Sequence, residues 1–341
     1  MKAAVIGAGS WGTALAQVLA LNGHNVSLWA RNAKVVRGIN ENGYNPRYVS
    51  NALLSDNIVA TTSYSDALRG AKAAVIVTPS KLLRGVGQAF CGLVADDLPI
   101  IVCSKGVEGG SGLLPVEVFE AELGGADRLA VLSGPNHAEE VIRAIPAGTV
   151  VASSSAETAA FFQDLFASDT FRVYTSSDVT GVELCAAFKN VIAIAVGIAY
   201  GIGFGDNTAA MLMTRGLAEM NRLVCACGGL PLTCLGLAGA GDLIATCTSQ
   251  HSRNRRFGEM IARGGTMASW EAETSMVAEG ALACKTLDVI ARAHAVELPI
   301  TDAVRNVVWE GGDARTLGSA LINRPLTTEF YGIDDPASFE G

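Results

Sequence analysis

Short apolar runs alternate with amphipathic stretches through the first half of the chain. Residues 2–6, 26–30, 58–61, 73–77, 99–103, 129–132, 148–153 and 171–174 each read as a strand, rich in Val, Ile, Leu and Ala. Between them, 13–20, 33–40, 64–70, 82–91 and 157–166 carry apolar residues at helical spacing. Strands alternating with helices predict a mostly parallel, doubly wound α/β sheet. From residue 178 onward the strand signals stop. Residues 181–203, 278–295, 301–310 and 317–323 read as helices. An α/β domain over 1–178, an all-α domain over 179–323 and a tail over 324–341 are therefore expected. The chain's 341 residues suffice for two domains.

The first strand runs straight into Gly7-Ala8-Gly9-Ser10-Trp11-Gly12, and a helix follows. Three glycines at this spacing between strand and helix are the opening of a Rossmann-type dinucleotide-binding unit. Gly7 makes the tight turn, Gly9 lets backbone approach a pyrophosphate, and Gly12 lets helix pack on strand. The first-turn N–H groups then face the phosphates. At the end of the second strand, where a carboxylate would hold the ribose 2′-hydroxyl of NAD, the chain has Arg31. An arginine there offers charge-assisted bonds to the 2′-phosphate of NADP. NADP is the expected cofactor, with NAD use left open.

The formal charge of −8 argues against nucleic acid or an acidic membrane as partner, so an anionic ligand must meet a local positive cluster. None of the eight cysteines forms a C-x-x-C pair, and most lie in apolar runs. Buried thiols in a reducing compartment are expected rather than disulfides or a metal site. With the first strand already at residues 2–6, no leader is expected, and the longest apolar stretch, 191–200, is too short to span a bilayer. A cytoplasmic protein without membrane insertion is expected.

Candidate chemistry gathers at strand ends and in polar islands of the helical half. Lys105, just after the fifth strand, falls where doubly wound sheets bind ligands. The next strand ends in Ser133-Gly134-Pro135-Asn136-His137-Ala138, another wall of such a cleft. His137 reads either as a proton donor or as a cap of the following helix. Lys189 and Asn190 interrupt a helix that is otherwise apolar. A lysine there either snorkels to water or becomes an acid–base group. Asp242, at a glycine-rich helix start, reads as an N-cap or as the ion-pair partner of Lys189, with Thr246 one turn on. Residues 250–256 form a basic, polar run. Its default reading is a solvated loop, though a substrate phosphate needs the same groups.

The motifs together resemble the bacterial NAD(P)-dependent glycerol-3-phosphate dehydrogenases, up to about residue 323. They are GAGSWGTALA from Gly7, LWAR ending at Arg31, SKG around Lys105 and SGPNHAEE from Ser133. KNVIAIAVG from Lys189, GAGDLIATC from Gly239, SRN over 252–254 and VAEG from Val277 follow in order. The resemblance implies reversible reduction of dihydroxyacetone phosphate to sn-glycerol 3-phosphate, for glycerophospholipid synthesis. It implies catalytic roles for Lys189, Lys105 and Asp242. It implies substrate contacts from Lys105, Gly134, Asn136, Lys189, Asn190, Asp242, Thr246, Ser252, Arg253 and Asn254. Gly7, Gly9, Ser10, Trp11, Gly12, Arg31, Lys105, Ala138, Arg253, Val277 and Glu279 match cofactor positions. The apolar helices of the second half suit a homodimer. A related reductase of 2-keto or 3-hydroxy acids is the competing enzyme, and a non-catalytic NADP-binding regulator the competing class.

Overall fold

The computed structural model of the chain describes residues 1–274, 278–315 and 329. Val277, the helix expected at 317–323 and, Glu329 apart, the tail lie outside the described residues. The chain divides into two compact units, Met1–Glu183 and Leu184–Gly341.

The first unit alternates strand and helix. It runs β1 (Lys2–Ile6), α1 (Ser10–Leu21), β2 (Asn25–Trp29), α2 (Ala33–Asn42), β3 (Ile58–Thr61), α3 (Tyr64–Leu68), β4 (Ala73–Ile76) and α4 (Leu83–Phe90). It continues with β5 (Ile100–Val102), α5 (Pro115–Leu123), β6 (Leu129–Ser133), α6 (Ala138–Val141), β7 (Ala147–Ala152), α7 (Ala156–Phe166) and β8 (Phe171–Ser176). The strands form one sheet in the order β3-β2-β1-β4-β5-β6-β7-β8. Chain order reverses beside β1, which pairs with β2 on one side and β4 on the other. That reversal opens a crevice beyond the carboxyl ends of the central strands. β4, β5 and β6 are buried along their whole length, as strands covered on both faces must be.

Two features depart from the sequence pattern. Helix α5 was not among the expected elements, yet β5 and β6 are parallel and need a crossover. Pro115 opens that helix at its first turn. β7 runs antiparallel to β6, where the pattern implied parallel strands. The connection holds only α6, one helical turn rising about 6 Å, which cannot carry the chain back along the sheet.

The second unit is helical throughout its described residues, with a wide turn before α11. α8 (Val179–Gly201) spans the division between units, followed by α9 (Asp206–Ala226), α10 (Pro231–Leu235), α11 (Asp242–Thr248), α12 (Arg253–Ala262), α13 (Met267–Thr274), α14 (Glu279–Ala293) and α15 (Pro299–Trp309). The basic run that read by default as a solvated loop is instead largely the start of α12. Ser252 caps it, its hydroxyl accepting from the Arg255 N–H. α8 runs through Lys189 and Asn190 as expected, and its full 23 residues, unlike the stretch 191–200 alone, are long and apolar enough to cross a membrane; its most apolar window is wholly buried in protein. α8 and α12 cross with backbones in contact: a Cβ on Gly258 would lie 2.2 Å from the Ile194 carbonyl oxygen. None of the eight cysteines is in a disulfide, and five are buried.

Candidate active site

The strand–turn–helix at the amino terminus has the geometry a pyrophosphate needs. Gly7 has φ +122°, and a Cβ there would meet the Val77 carbonyl at 2.6 Å. A Cβ on Gly12 would come within 1.8 Å of the Gly7 oxygen, whereas one on Gly9 would meet nothing within 4 Å. The outer glycines are thus required by the protein's own packing, and the middle one leaves room for a ligand. Gly9 occupies the N-cap of α1 and offers no side chain to its first-turn N–H groups. Those amides, at Ser10 and Trp11, fit a bound phosphate.

The neighbouring strand ends add to that fit. Trp11 Nε1, Thr78 Oγ1, Ser133 Oγ and Asn136 Oδ1 are buried polar atoms without a hydrogen-bond partner among the described residues. They follow β1 and β4 and close or follow β6, on the carboxyl side of the sheet. Such atoms are rare in folded proteins and suit a polar ligand laid across these ends. The sequence offered Ser133 only as the start of a cleft wall and Thr78 only as a strand end; the one signal for either side chain was a position just past, or closing, a buried strand. Lys105 Nζ donates to the Gly134 carbonyl at 3.4 Å, and Asn136 Nδ2 to the Gly148 carbonyl at 2.9 Å. Gly134 is packed tightly on β7, where a Cβ would lie 2.8 Å from Thr149 Cα. Ala138 begins α6 and is buried, while His137 takes its N-cap position without capping it. Arg31 is exposed two residues past β2.

In the helical unit, Lys189 Nζ lies 2.5 Å from Asp242 Oδ1 and donates to Thr246 Oγ1 at 2.7 Å. Thr246 Oγ1 in turn donates to Asp242 Oδ1 at 3.3 Å. The three residues are buried, at 7, 2 and 5 % exposure. A lone ammonium in that surrounding would be strongly unfavourable, so the carboxylate is its necessary counter-charge. Of the two sequence readings of Asp242, the ion pair is the one found. Asp242 is the first helical residue of α11, after a wide turn over Leu237–Gly241, and not its cap. Only glycine fits at 239, where a Cβ would meet the Cys234 carbonyl at 2.1 Å. Such wide turns recur at functional sites because they re-aim the side chains that follow.

Beside this pair, two buried amides join three helices. Asn254 Nδ2 donates to Asn190 Oδ1 at 2.8 Å, and Asn254 Oδ1 accepts from the Gly280 N–H at 3.0 Å. The chain links α8 next to Lys189, α12 next to Arg253 and α14 next to Glu279. Asn190 and Asn254 therefore spend hydrogen bonds on holding the site together. Arg253 is exposed, and among the described residues its guanidinium has no partner.

A glycine-rich turn on a switched parallel sheet, with a buried lysine–carboxylate pair on helices, defines a dinucleotide-dependent oxidoreductase. The comparisons narrow that class. Residues 2–159 match the family model for the NAD-dependent glycerol-3-phosphate dehydrogenase N-terminus, and 178–318 the model for its C-terminus. The chain belongs to the NAD-dependent glycerol-3-phosphate dehydrogenase family. It is 43 % identical over 342 residues to glycerol-3-phosphate dehydrogenase (NAD(P)+) of Pelotomaculum thermopropionicum, covering 100 % of this chain and 98 % of that one. The enzyme of the same name from Frankia casuarinae is 47 % identical over 91 % of this chain and 93 % of its own. The crystal structure of glycerol-3-phosphate dehydrogenase from Coxiella burnetii superposes with TM-score 0.91 at 37 % identity, covering 95 % and 99 % of the two chains.

Proposed function

We propose that the protein catalyses the reversible reduction of dihydroxyacetone phosphate to sn-glycerol 3-phosphate, using NADPH by preference and NADH as a second cofactor. Ketone, reduced nicotinamide and one proton become alcohol and oxidised nicotinamide. The observation that carries this reading is the buried Lys189–Asp242–Thr246 cluster in a chain of this family.

When bound, the nicotinamide supplies the hydride for the carbonyl carbon. Negative charge then grows on the carbonyl oxygen, and Lys189 Nζ holds the proton that quenches it. Asp242 keeps the ammonium charged and, with Thr246, limits where Nζ can point. Arg253 offers an unspent guanidinium to the phosphate, aided by the polar N-terminus of α12. Holding the phosphate away from the reacting carbon orients the carbonyl for transfer. Lys105 adds positive charge at the strand ends. Arg31, exposed past β2, would hold the 2′-phosphate of NADPH through charge-assisted bonds.

Cytoplasmic location, supply of the glycerophospholipid backbone and assembly as a homodimer belong to the same proposal. The resemblance supports all three. Leu232 and Leu235 of α10, 76 and 67 % exposed, further suit contact with a second copy. The deciding assay follows NADPH absorbance with dihydroxyacetone phosphate and, separately, with 2-keto acids. Turnover of the phosphate ester alone is expected; oxidation of NADPH only with keto acids would overturn the reading.

A further inference from the structure

Arg255 follows Arg253 by two residues on α12, and its side chain reaches three other places in the helical unit. Its Nε lies 3.0 Å from Glu259 Oε1, one turn along the same helix. Its Nη1 donates to the carbonyl of Thr248, the last residue of α11, at 2.6 Å. The guanidinium also lies over the Tyr200 ring, 4.6 Å from its centroid, near the end of α8. The Tyr200 hydroxyl donates onward to Asp206 Oδ1 at 3.0 Å.

The main chain at Arg255 is held as firmly. Its N–H donates to the capping hydroxyl of Ser252 at 3.3 Å. A Cβ on Gly197 would lie 2.0 Å from the Arg255 carbonyl oxygen, so α8 and α12 touch backbone to backbone at this residue. Arg255 therefore grips both sides of the short connection over 249–252. On one side is α11, which carries Asp242 and Thr246; on the other is the first turn of α12, which carries Arg253. A guanidinium suits the task because its planar fork bonds a carboxylate and a carbonyl while its face stacks on a ring. A cation at the last carbonyls of α11 also meets the negative end of that helix.

We propose that Arg255 is a positioning residue that acts through Arg253. By clamping α12 to the end of α11 and to Tyr200, it sets the distance between the phosphate-holding guanidinium and the Lys189–Asp242 pair. The proposal rests on the roles given to Arg253 and Lys189 above. A remote anchor speeds reaction only if its spacing from the reacting centre is held, so a loosened clamp costs rate on the phosphorylated substrate.

The test is a double-mutant cycle of Arg255→Met and Arg253→Ala, with kcat/KM read on dihydroxyacetone phosphate and on dihydroxyacetone. Arg255→Met is expected to lower kcat/KM on the phosphate ester about 10- to 100-fold, the scale of a misplacement on the order of 1 Å. Added to Arg253→Ala, it should cost less than about threefold more, because the two act as one unit. The loss on dihydroxyacetone, which has no phosphate to place, should be much smaller. Arg255→Lys, which keeps a cation over Tyr200, should recover part of the rate. Equal losses on both substrates, or losses that multiply in the double variant, would overturn the proposal. If Arg255→Met does not fold, Glu259→Gln removes one of the three grips and must show the same coupling to Arg253 at smaller size. A wild-type chain inactive on dihydroxyacetone phosphate would defeat the underlying reading instead, before any variant is compared.

Discussion

Lys189 Nζ and Asp242 Oδ1 stand 2.5 Å apart although 53 residues separate them along the chain. The side chains are 8 and 3 % exposed, so each charge has the other as its main compensation. Lys189→Met should therefore lower kcat about 100- to 10,000-fold, the usual worth of a positioned general acid. NADPH affinity, followed by quenching of tryptophan fluorescence, should be unchanged. Turnover within tenfold of wild type would remove Lys189 from the mechanism.

Asp242→Ala should lower stability as well as rate, because it strands an ammonium in an apolar surrounding. Removing one partner of a buried pair costs about 3–5 kcal/mol. Adding Lys189→Met to Asp242→Ala removes the stranded charge and should restore most of that stability without restoring turnover. Urea unfolding of the three variants measures the difference. A double variant no more stable than Asp242→Ala alone would mean that the pair is not the source of the loss.

Arg253→Ala should raise KM for dihydroxyacetone phosphate by about 10- to 100-fold, from a charge-assisted bond worth about 1.5–3 kcal/mol. Steady-state kinetics at saturating NADPH provides the test. An unchanged KM would put the phosphate elsewhere.

Arg31→Asp should exchange the cofactor preference. A carboxylate at that position repels the 2′-phosphate and accepts from a ribose hydroxyl. The ratio of kcat/KM for NADPH to that for NADH should fall by at least about tenfold, one charge-assisted bond's worth. A ratio that does not move would show that Arg31 lies off the ribose.

Glu219 gives a prediction on stability alone. Its buried carboxyl accepts from the Ile300 N–H at 2.6 Å, and burial pushes its pKa up to about 8. A carboxyl with a raised folded-state pKa stabilises the fold fully below its unfolded value, and that contribution is lost as pH rises through the folded value. Glu219→Gln copies the neutral form and cannot ionise. Its Tm relative to wild type should climb between pH 5 and pH 9, by about 2–4 °C for each kcal/mol. A difference that is flat across that range would show the carboxyl to be ionised already at pH 5.

Much of the first unit was legible because its signals are local. Lys2–Ile6 and Ile58–Thr61 are strands over the residues their apolar runs span. The Gly7–Gly12 turn needs no distant residue to explain it. Helix α5 was hidden because its stretch carries apolar and acidic residues without a clean face, so only the crossover between β5 and β6 demands it. The reversed direction of β7 was hidden for a related reason, since it follows from how far α6 can carry the chain and not from the strand's own residues.

The helical unit divides the same way. That Lys189 is an oddity on an apolar helix is a property of the sequence, and so are the polar islands at 242 and 250–256. Hydrophobic periodicity decides which residues must leave water, and a charge set among them marks a site because desolvation is so unfavourable. Which carboxylate compensates Lys189, and which carbonyl and ring receive Arg255, depends on how α8, α11 and α12 pack. Close approach at Gly197 and Gly258 settles how α8 meets α12, and Gly239 seats the turn before α11 against Cys234 of α10. Contacts across dozens of residues exist only once the backbone has closed to van der Waals distance, and no local pattern encodes them.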